Sequence, residues 1–407
     1  MNTSTMIKTR IITLYIFAIF LIANTVSVGF AAELNLNDPS GNPATNINEG
    51  LTPEVSTNKT YSVSKAPADE LLKLRGVIIN TAGVTSNDGT PFSDTLENRL
   101  ILEKNRGDWR FYGDGRLYLN FARAEELNDK YDLKIMRSFI RYNRGSNSYT
   151  AGKTYINLGI PGLYNPFDIN KTVAFTDLSY DKEGLLSMDI AYTLGDLAEL
   201  EMFASYFDDY NSYITGMELA GNFSAFDIST IILRTGMDRK YREKSNVQKG
   251  RTKGGIAVKG DAVIGINGSL SYCVYDGLTK KYAEANTGTD YSFFDGRLFS
   301  EALIYYNGQG ADSENKYVPL QDAYTLGKFA AYLGSTYTFD EFLSGGFSMF
   351  QSITDYSILY IPSAAITINN GLEATAYLMF SNGSGMQEYS KKVFGKYAGG
   401  IKLEANF

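Results

Sequence analysis

The stretch Gly395-Lys-Tyr-Ala-Gly-Gly-Ile-Lys-Leu-Glu-Ala-Asn-Phe407 closes the chain. Tyr397, Gly399, Ile401, Leu403, Ala405 and Phe407 occupy one alternate register. Lys396, Ala398, Gly400, Lys402, Glu404 and Asn406 occupy the other. Successive side chains of a strand point to opposite faces, so this segment reads as a strand with one oily and one wet face. Oily outward and polar inward is the pattern of a transmembrane barrel strand, with lipid on one side and an aqueous lumen on the other. A half-buried strand of a soluble protein alternates in the same way, so the rest of the chain has to decide.

Working back from the end, the pattern repeats. Leu372, Ala374, Ala376, Leu378 and Phe380 oppose Glu373, Thr375, Tyr377 and Met379. Leu186, Met188, Ile190, Tyr192 and Leu194 oppose Ser187, Asp189, Ala191 and Thr193. Trp109, Phe111, Leu117, Leu119 and Phe121 oppose Arg110, Tyr112, Asp114, Arg116, Tyr118 and Asn120. The composition agrees. The 407 residues include 30 Tyr, 24 Phe and 39 Gly but only 9 Pro, with 44% hydrophobic and 20% charged, which suits many short alternating strands and not a bundle of membrane helices.

Parity is the stronger test. Bacterial barrels have short periplasmic turns, longer outer loops and an even number of strands. Tight-turn sequences rich in Gly, Asn and Asp, which tolerate positive φ, fall near 105–107, 144–146, 195–196, 221–222, 260–261, 295–296, 340–341 and 370–371. Longer connections alternate with them, at about 81–95, 122–130, 157–184, 208–212, 235–250, 276–288, 307–326, 352–356 and 382–394. The fold class expected is therefore all-β: a transmembrane antiparallel β-barrel of about 18 strands over 71–407, with 16 as the alternative because 208–212 and 352–356 are short for outer loops. Two segments fit poorly. Tyr131 to Tyr142 carries Lys134 and Arg137 in opposite registers, which requires a bulge or a shorter strand. Pro362 sits inside a predicted strand and has no N–H for the ladder. Trp109, Phe339 and Phe342 lie beside short turns, where an interfacial aromatic girdle is expected.

The amino terminus reads as a signal peptide over 1–31. Lys8 and Arg10 precede an apolar run from Ile11 to Ile22, and the small residues around Ala31 offer a cleavage site. The run is short for a membrane span, and an uncleaved anchor is the alternative. Residues 32–70, rich in Asn, Thr, Ser, Pro and Glu, read as a flexible periplasmic lead-in; a plug inside the lumen is the alternative. Loss of Lys8 and Arg10 takes the net charge from -7 to -9, which argues against a nucleic-acid partner.

Several chemistries are excluded. There is no His, so no Ser-His or Asp-His hydrolytic pair exists. A single Cys builds neither an intramolecular disulfide nor a thiolate metal site. No enzyme, metal or cofactor is expected. Cys273 shares its register with Asn267, Ser269 and Ser271 and reads as a small buried or lumen-facing residue.

Two features suggest a pore. Arg99, Arg110 and Arg116 fall on the polar face of the second and third strands, and Arg137 and Arg141 share a register of the fourth. Glu97, Glu103 and Asp114 accompany them. With strands about 5 Å apart, the arginines would form a ladder along one wall; the alternative is that these charges only hydrate the lumen and pair with nearby acids. The second feature is the connection 157–184, with Pro161, Pro166 and the acids Asp168, Asp177, Asp181 and Glu183. A loop so long is usually functional. Folded inward, it buries Leu163, Tyr164 and Phe167 and sets acids across from the arginines, a field that selects solutes by charge as well as size. The alternatives are a loop packed over the mouth and an extra hairpin around Val173 to Tyr180.

These residues carry a resemblance. A terminal strand ending in Phe resembles the closing strand of Gram-negative outer-membrane barrels, where the insertion machinery reads it. A long loop after the fifth strand resembles the constriction loop of general porins. Gly152-Lys-Thr-Tyr155 and Asn165-Pro-Phe-Asp168 resemble a recurrent signature of porin-like barrels. The chain lacks an obvious Pro-Glu-Phe-Gly-Gly loop motif, so no substrate preference is carried over. The resemblance implies a cell-outer-membrane channel for passive diffusion of small hydrophilic solutes, in contact with lipopolysaccharide, with the homotrimer usual for porins. A substrate-specific barrel for an oligosaccharide or apolar compound is the first alternative, with Tyr112, Tyr118 and Tyr377 as lumen aromatics. A non-conducting barrel for adhesion or envelope assembly is the second. Arg239, Lys240, Arg242, Lys244, Lys249, Arg251 and Lys253 crowd an expected outer loop and read either as a contact for lipopolysaccharide phosphates or anionic solutes, or as a solvated charged loop.

Overall fold

The computed structural model of the protein describes residues 72–85, 93–120, 131–160, 162–169, 183–206, 212–237, 250–261, 263–276, 280–317, 324–369 and 371–406. The leader, the lead-in, Asp177, Asp181, residues 173–180 and the basic residues 239–249 lie outside them.

Eighteen strands follow one another: β1 (Lys73–Thr85), β2 (Ser93–Arg106), β3 (Trp109–Asn120), β4 (Tyr131–Arg144), β5 (Asn147–Thr154), β6 (Leu185–Leu194), β7 (Ala198–Tyr206), β8 (Ser212–Phe223) and β9 (Phe226–Met237) in the first half. The second half holds β10 (Arg251–Asp261), β11 (Gly265–Tyr275), β12 (Lys281–Phe293), β13 (Leu298–Asn307), β14 (Phe329–Thr338), β15 (Leu343–Ser352), β16 (Ile358–Asn369), β17 (Leu372–Ser381) and β18 (Tyr397–Asn406). Each pairs antiparallel with its sequence neighbours, and β18 returns to β1 from Val77↔Asn406 to Thr85↔Ala398. Closure leaves no edge, so every strand has a ladder on both sides. Among the described residues, no helix is long and apolar enough to cross a membrane.

Alternation sets the two faces. Tyr397, Ile401 and Leu403 are exposed on the outside of β18, while Ala398 and Lys402 are buried within. Leu186, Met188, Ile190, Tyr192 and Leu194 are likewise exposed, and Ser187 is buried. An outer surface this apolar is incompatible with water and suits lipid. Trp109, Tyr149, Tyr192, Phe223, Phe226, Phe293, Phe294, Phe339 and Phe342 are exposed at the short-turn rim. Tyr131, Tyr206, Tyr213, Phe329, Phe380 and Tyr397 are exposed at the other. These are two interfacial girdles, of which the sequence suggested part of one.

Both awkward segments have a physical account. In β4, Asp114 faces Arg137 but Gly115 faces Ile135, so Met136 is an extra, bulged residue. The bulge brings Lys134, opposite the inward Arg116, into the same face as Arg137. In β16, pairing with β17 lapses at Ile361 and Pro362 and resumes in register at Ser363↔Tyr377. Pro362 keeps Phe347 as its neighbour on β15.

Three boundaries differ from the sequence reading. The turn expected at 221–222 falls at Ser224–Ala225, with Ser224 at φ 61 and Phe223 opposite Phe226. Asn222 stays in the strand and its Nδ2 donates to Asp227 Oδ1 at 2.8 Å. The turn expected at 260–261 falls beyond Asp261, and β12 begins at Lys281, inside the connection expected over 276–288. The two short outer connections are genuine, and eighteen strands hold.

Candidate functional site: the inner wall and the inward loop

All five predicted arginines lie on the inner face of β2–β4. Arg99 donates to Asp114 through Nε at 3.1 Å and Nη2 at 2.8 Å. Arg137 Nη2 donates to the same carboxylate at 3.4 Å. Arg116 is only 2% exposed; its Nη1 is 3.1 Å from Glu97, and its Nε is 3.7 Å from Asp114. Arg110 pairs with Glu103 at 2.9 Å, and Arg141 Nε donates to Thr150 Oγ1 at 3.0 Å. Asp114 is the hub of this wall, fully buried among three guanidinia. On β2–β4 five arginines face three carboxylates, which leaves those strands with a net positive inner face, and Asp189, Glu199 and Glu201 on β6 and β7 act on Arg141 from the adjoining wall.

Aromatic rings order the less buried cations. The Arg137 guanidinium lies 5.0 Å from the Tyr112 ring and 4.8 Å from the Tyr155 ring. Arg110 lies 5.9 Å from Tyr112 on the same side of β3. Such contacts hold a guanidinium plane in place while leaving its edge available to solutes.

The connection after β5 starts beside Arg137 at Tyr155 and packs against inner-wall strands other than β2–β4. Leu158 and Phe167 are buried with Phe203, Ile214, Ile231, Leu233 and Ala257, from β7 to β10. Tyr164 is buried with Tyr305, Ala330, Phe350, Leu359, Ile361, Tyr377, Met379 and Ala398, from β13 to β18. Tyr164 stacks on Tyr305 with ring centroids 5.1 Å apart. Full burial of side chains this size contributes about 1.5–3 kcal/mol each, enough to hold a loop that in water would expose them. Of the three residues expected to bury, Tyr164 and Phe167 do so, and Leu163 packs partly against the Tyr164 cluster.

Polar contacts fix the loop's backbone. Asn165 Nδ2 donates to the Leu158 carbonyl at 2.7 Å, and Asn165 Oδ1 accepts from the Phe167 N–H at 3.0 Å. The Gly159 N–H donates to Glu218 Oε1 at 3.2 Å. Lys253 Nζ donates to the Pro166 carbonyl at 2.9 Å and forms a buried ion pair with Glu284, whose other oxygen accepts from Tyr305 Oη at 3.0 Å. Asp168 accepts from Tyr324 Oη at 2.7 Å. Burial pushes the Tyr164 and Tyr324 hydroxyls well up, so both remain donors.

Lys253 is the residue sequence reasoning misplaced. It stands in β10, buried, and not in an exposed basic loop; Arg251 also belongs to the strand. The available signal was its inward register with Gly255 and Ala257. Cys273 is fully buried beside Tyr275 and Tyr282, as its register suggested. Tyr377 belongs to the packed cluster around Tyr164. Among the described residues, no group of His, Cys, Asp or Glu is arranged to hold a metal.

A closed barrel of eighteen strands with an apolar, aromatic-girdled outer face, a polar inner wall and an inward loop has the fold of the outer-membrane channel barrels. Solved structures agree. The outer membrane protein OpdK from Pseudomonas aeruginosa matches with a TM-score of 0.56 at 7% identity, over 84% of this chain and 100% of that one. OccD3 (OpdP) from Pseudomonas aeruginosa matches at 0.55 and 10%, over 84% and 93%. OccAB4 from Acinetobacter baumannii matches at 0.55 and 8%, over 83% and 98%. At these identities the likeness establishes fold alone. No protein-family model matches the sequence, and no curated protein matches it significantly.

Proposed function

We propose that the protein is an outer-membrane channel for passive diffusion of small hydrophilic solutes, narrowed between the loop 157–184 and the arginine wall of β2–β4. The observation that carries this reading is the division of the inner wall. The loop packs on strands β7–β10 and β13–β18, while the arginines line β2–β4. A solute passing the loop is thereby directed along the cationic side. Asp177 and Asp181 belong to the proposed constriction through their place in the same loop. Export through the leader, reading of the terminal strand ending in Phe407 by the insertion machinery, contact with lipopolysaccharide and a homotrimer are parts of the same proposal. Diffusion through such a channel needs no catalytic step and no cofactor.

Single-channel recording from purified protein in a planar bilayer tests it. Stable open steps, with a reversal potential in a salt gradient, support a pore. Folded protein that gives no steps contradicts it.

A substrate-specific channel is the second reading. The placement of Arg137 between Tyr112 and Tyr155 favours it, because a fixed guanidinium flanked by rings discriminates more than a hydrated charge does. Saturation of the conductance by one solute class, absent for matched electrolytes, distinguishes it from general diffusion.

A further inference from the structure

Outside the lumen, the short-turn rim of the barrel is electrically uneven. Lys104, Arg106 and Arg144 all lie on the lipid-facing side of β2 and β4, beside the turns 107–108 and 145–146. Register places them there: Lys104 is opposite Phe111 and Arg106 opposite Trp109, both outward-facing, and Arg144 lies two residues beyond the outward Tyr142. All three are exposed, and none makes an ion pair among the described residues. One acid, Asp108, is nearby. The six remaining short turns hold four acids, Asp196, Asp295, Asp340 and Glu341, against one base, Arg297.

The same sector carries two adjoining grooves on its outer surface. A groove of about 700 Å³ runs between Arg106, Trp109, Phe111, Ile140 and Tyr142. A second, of about 480 Å³, continues from it past Lys104, where Gly113, Ser138 and Ala151 leave the strand surface low beside Leu102. Both grooves have apolar walls at the depth of the aromatic girdle, and the cations stand at the girdle's aqueous edge. Adjacent strands are about 5 Å apart, so Arg106 and Arg144 lie about two strand spacings from each other, the reach of one phosphodiester headgroup.

We propose that this sector binds an anionic phospholipid of the periplasmic leaflet, its phosphate held by Lys104, Arg106 and Arg144 and an acyl chain lying in the Trp109–Phe111–Ile140 groove. Charge complementarity selects the occupant. Guanidinium groups bind phosphate through paired hydrogen bonds, and basic clusters beside membrane segments favour anionic headgroups. A two-fold contact with a second copy through this sector would bring the same cations face to face. The inference rests on the membrane placement proposed above and is independent of conduction.

Native mass spectrometry of the detergent-purified, delipidated barrel, titrated with phosphatidylglycerol or phosphatidylcholine of matched chains, tests it. The expected result is at least tenfold tighter binding of phosphatidylglycerol. Lys104→Gln/Arg106→Gln/Arg144→Gln abolishes that preference, and Lys281→Gln/Lys391→Gln/Lys392→Gln, at the other rim, retains it. Heat-modifiable gel mobility confirms that each variant is folded. Equal binding of the two lipids, or a preference that survives the first triple variant, overturns the site. A change of oligomeric state in that variant with unchanged lipid preference also overturns it and makes the sector a contact between copies. Protein that never folds into vesicles removes the membrane placement itself, an outcome separate from loss of lipid selectivity in a folded barrel.

Discussion

Lys253, on β10, donates a 2.9 Å hydrogen bond to the carbonyl of Pro166, 87 residues earlier in the chain. The same ammonium is ion-paired with buried Glu284. One cation thus ties a loop backbone to the barrel wall, in a site where neither partner is well solvated. Removing one partner of a buried pair costs about 3–5 kcal/mol, because the other is left charged and unpaired. Lys253→Met is expected to lower stability by that order. Lys253→Met/Glu284→Gln is expected to recover much of it, since the amide still accepts from Tyr305. Urea unfolding in detergent reads both. Equal losses in the single and double variants would show that the pair is not the anchor.

The arginines divide by burial into two kinds. Arg116 is enclosed with Glu97, so Arg116→Ala is expected to cost about 3–5 kcal/mol of folding. Arg110 is 38% exposed on its side chain and Asp114 neutralises its neighbours. Arg110→Ala is therefore expected to fold normally and lower anion preference, while Asp114→Asn raises it by freeing Arg99 and Arg137. Reversal potentials in a salt gradient measure the two shifts. Identical potentials in both variants would place the wall away from the current.

At the outer mouth, Glu388 accepts from the N–H groups of Leu326 at 3.1 Å and Gly327 at 3.4 Å, joining the connections 308–328 and 382–396. Burial pushes its carboxyl up to about 7, from an ordinary 4.5. The folded state therefore prefers the protonated form. Its contribution is fully present below 4.5 and is lost as pH rises through 7, by about 3 kcal/mol at 1.36 kcal/mol per unit. Burial also acts on Asp355, but the Ser357 hydroxyl and the N–H groups of Glu388 and Ser357 outweigh it and hold that carboxyl below its usual range. Asp355 works in the opposite sense: its contribution is present above the ordinary carboxylate range and falls away in acid. Proteolysis of the outer loops is expected to speed up from pH 5 to pH 8 in the native chain and to lose this dependence in Glu388→Gln. An unchanged slope in Glu388→Gln would assign the pH response elsewhere.

Gly159 sits at φ +67, and a Cβ there would meet Ala257, Ile231 and Phe167 at 3.3 Å. The left-handed conformation alone costs an L-residue about 1–2 kcal/mol. Gly159→Ala is expected to loosen the start of the loop by at least that much, with faster hydrogen exchange over 156–168. Gly115→Ala, with open space around its position, is the control. Equal exchange in the two variants would mean that Gly159 is not under this constraint.

Much of this was legible in the sequence because the barrel's information is local. Period-two alternation gave the lipid and lumen faces. Gly-rich turns gave the parity. The clash of Lys134 with Arg137 demanded the bulge that Met136 supplies. The Ser224 turn was missed because a serine carries no signal for positive φ, whereas Gly221 and Asn222, which do, lie in β8. Lys253 was missed for a different reason. Its partners, Glu284 and Pro166, come together only when β12 and the loop meet across the lumen, a relation no local pattern records. The same holds for the stack of Tyr164 on Tyr305 and for the loop network around Glu388.

On the proposed function, the arginine wall borders the path of solutes beside a fixed inward loop. The most direct test is single-channel current through Arg137→Cys in a Cys273→Ser background, before and after a bulky anionic thiol reagent. Reaction confirmed by mass, with a stepwise fall in current and weakened anion preference, is the predicted result. Full labelling with unchanged current and selectivity would contradict it.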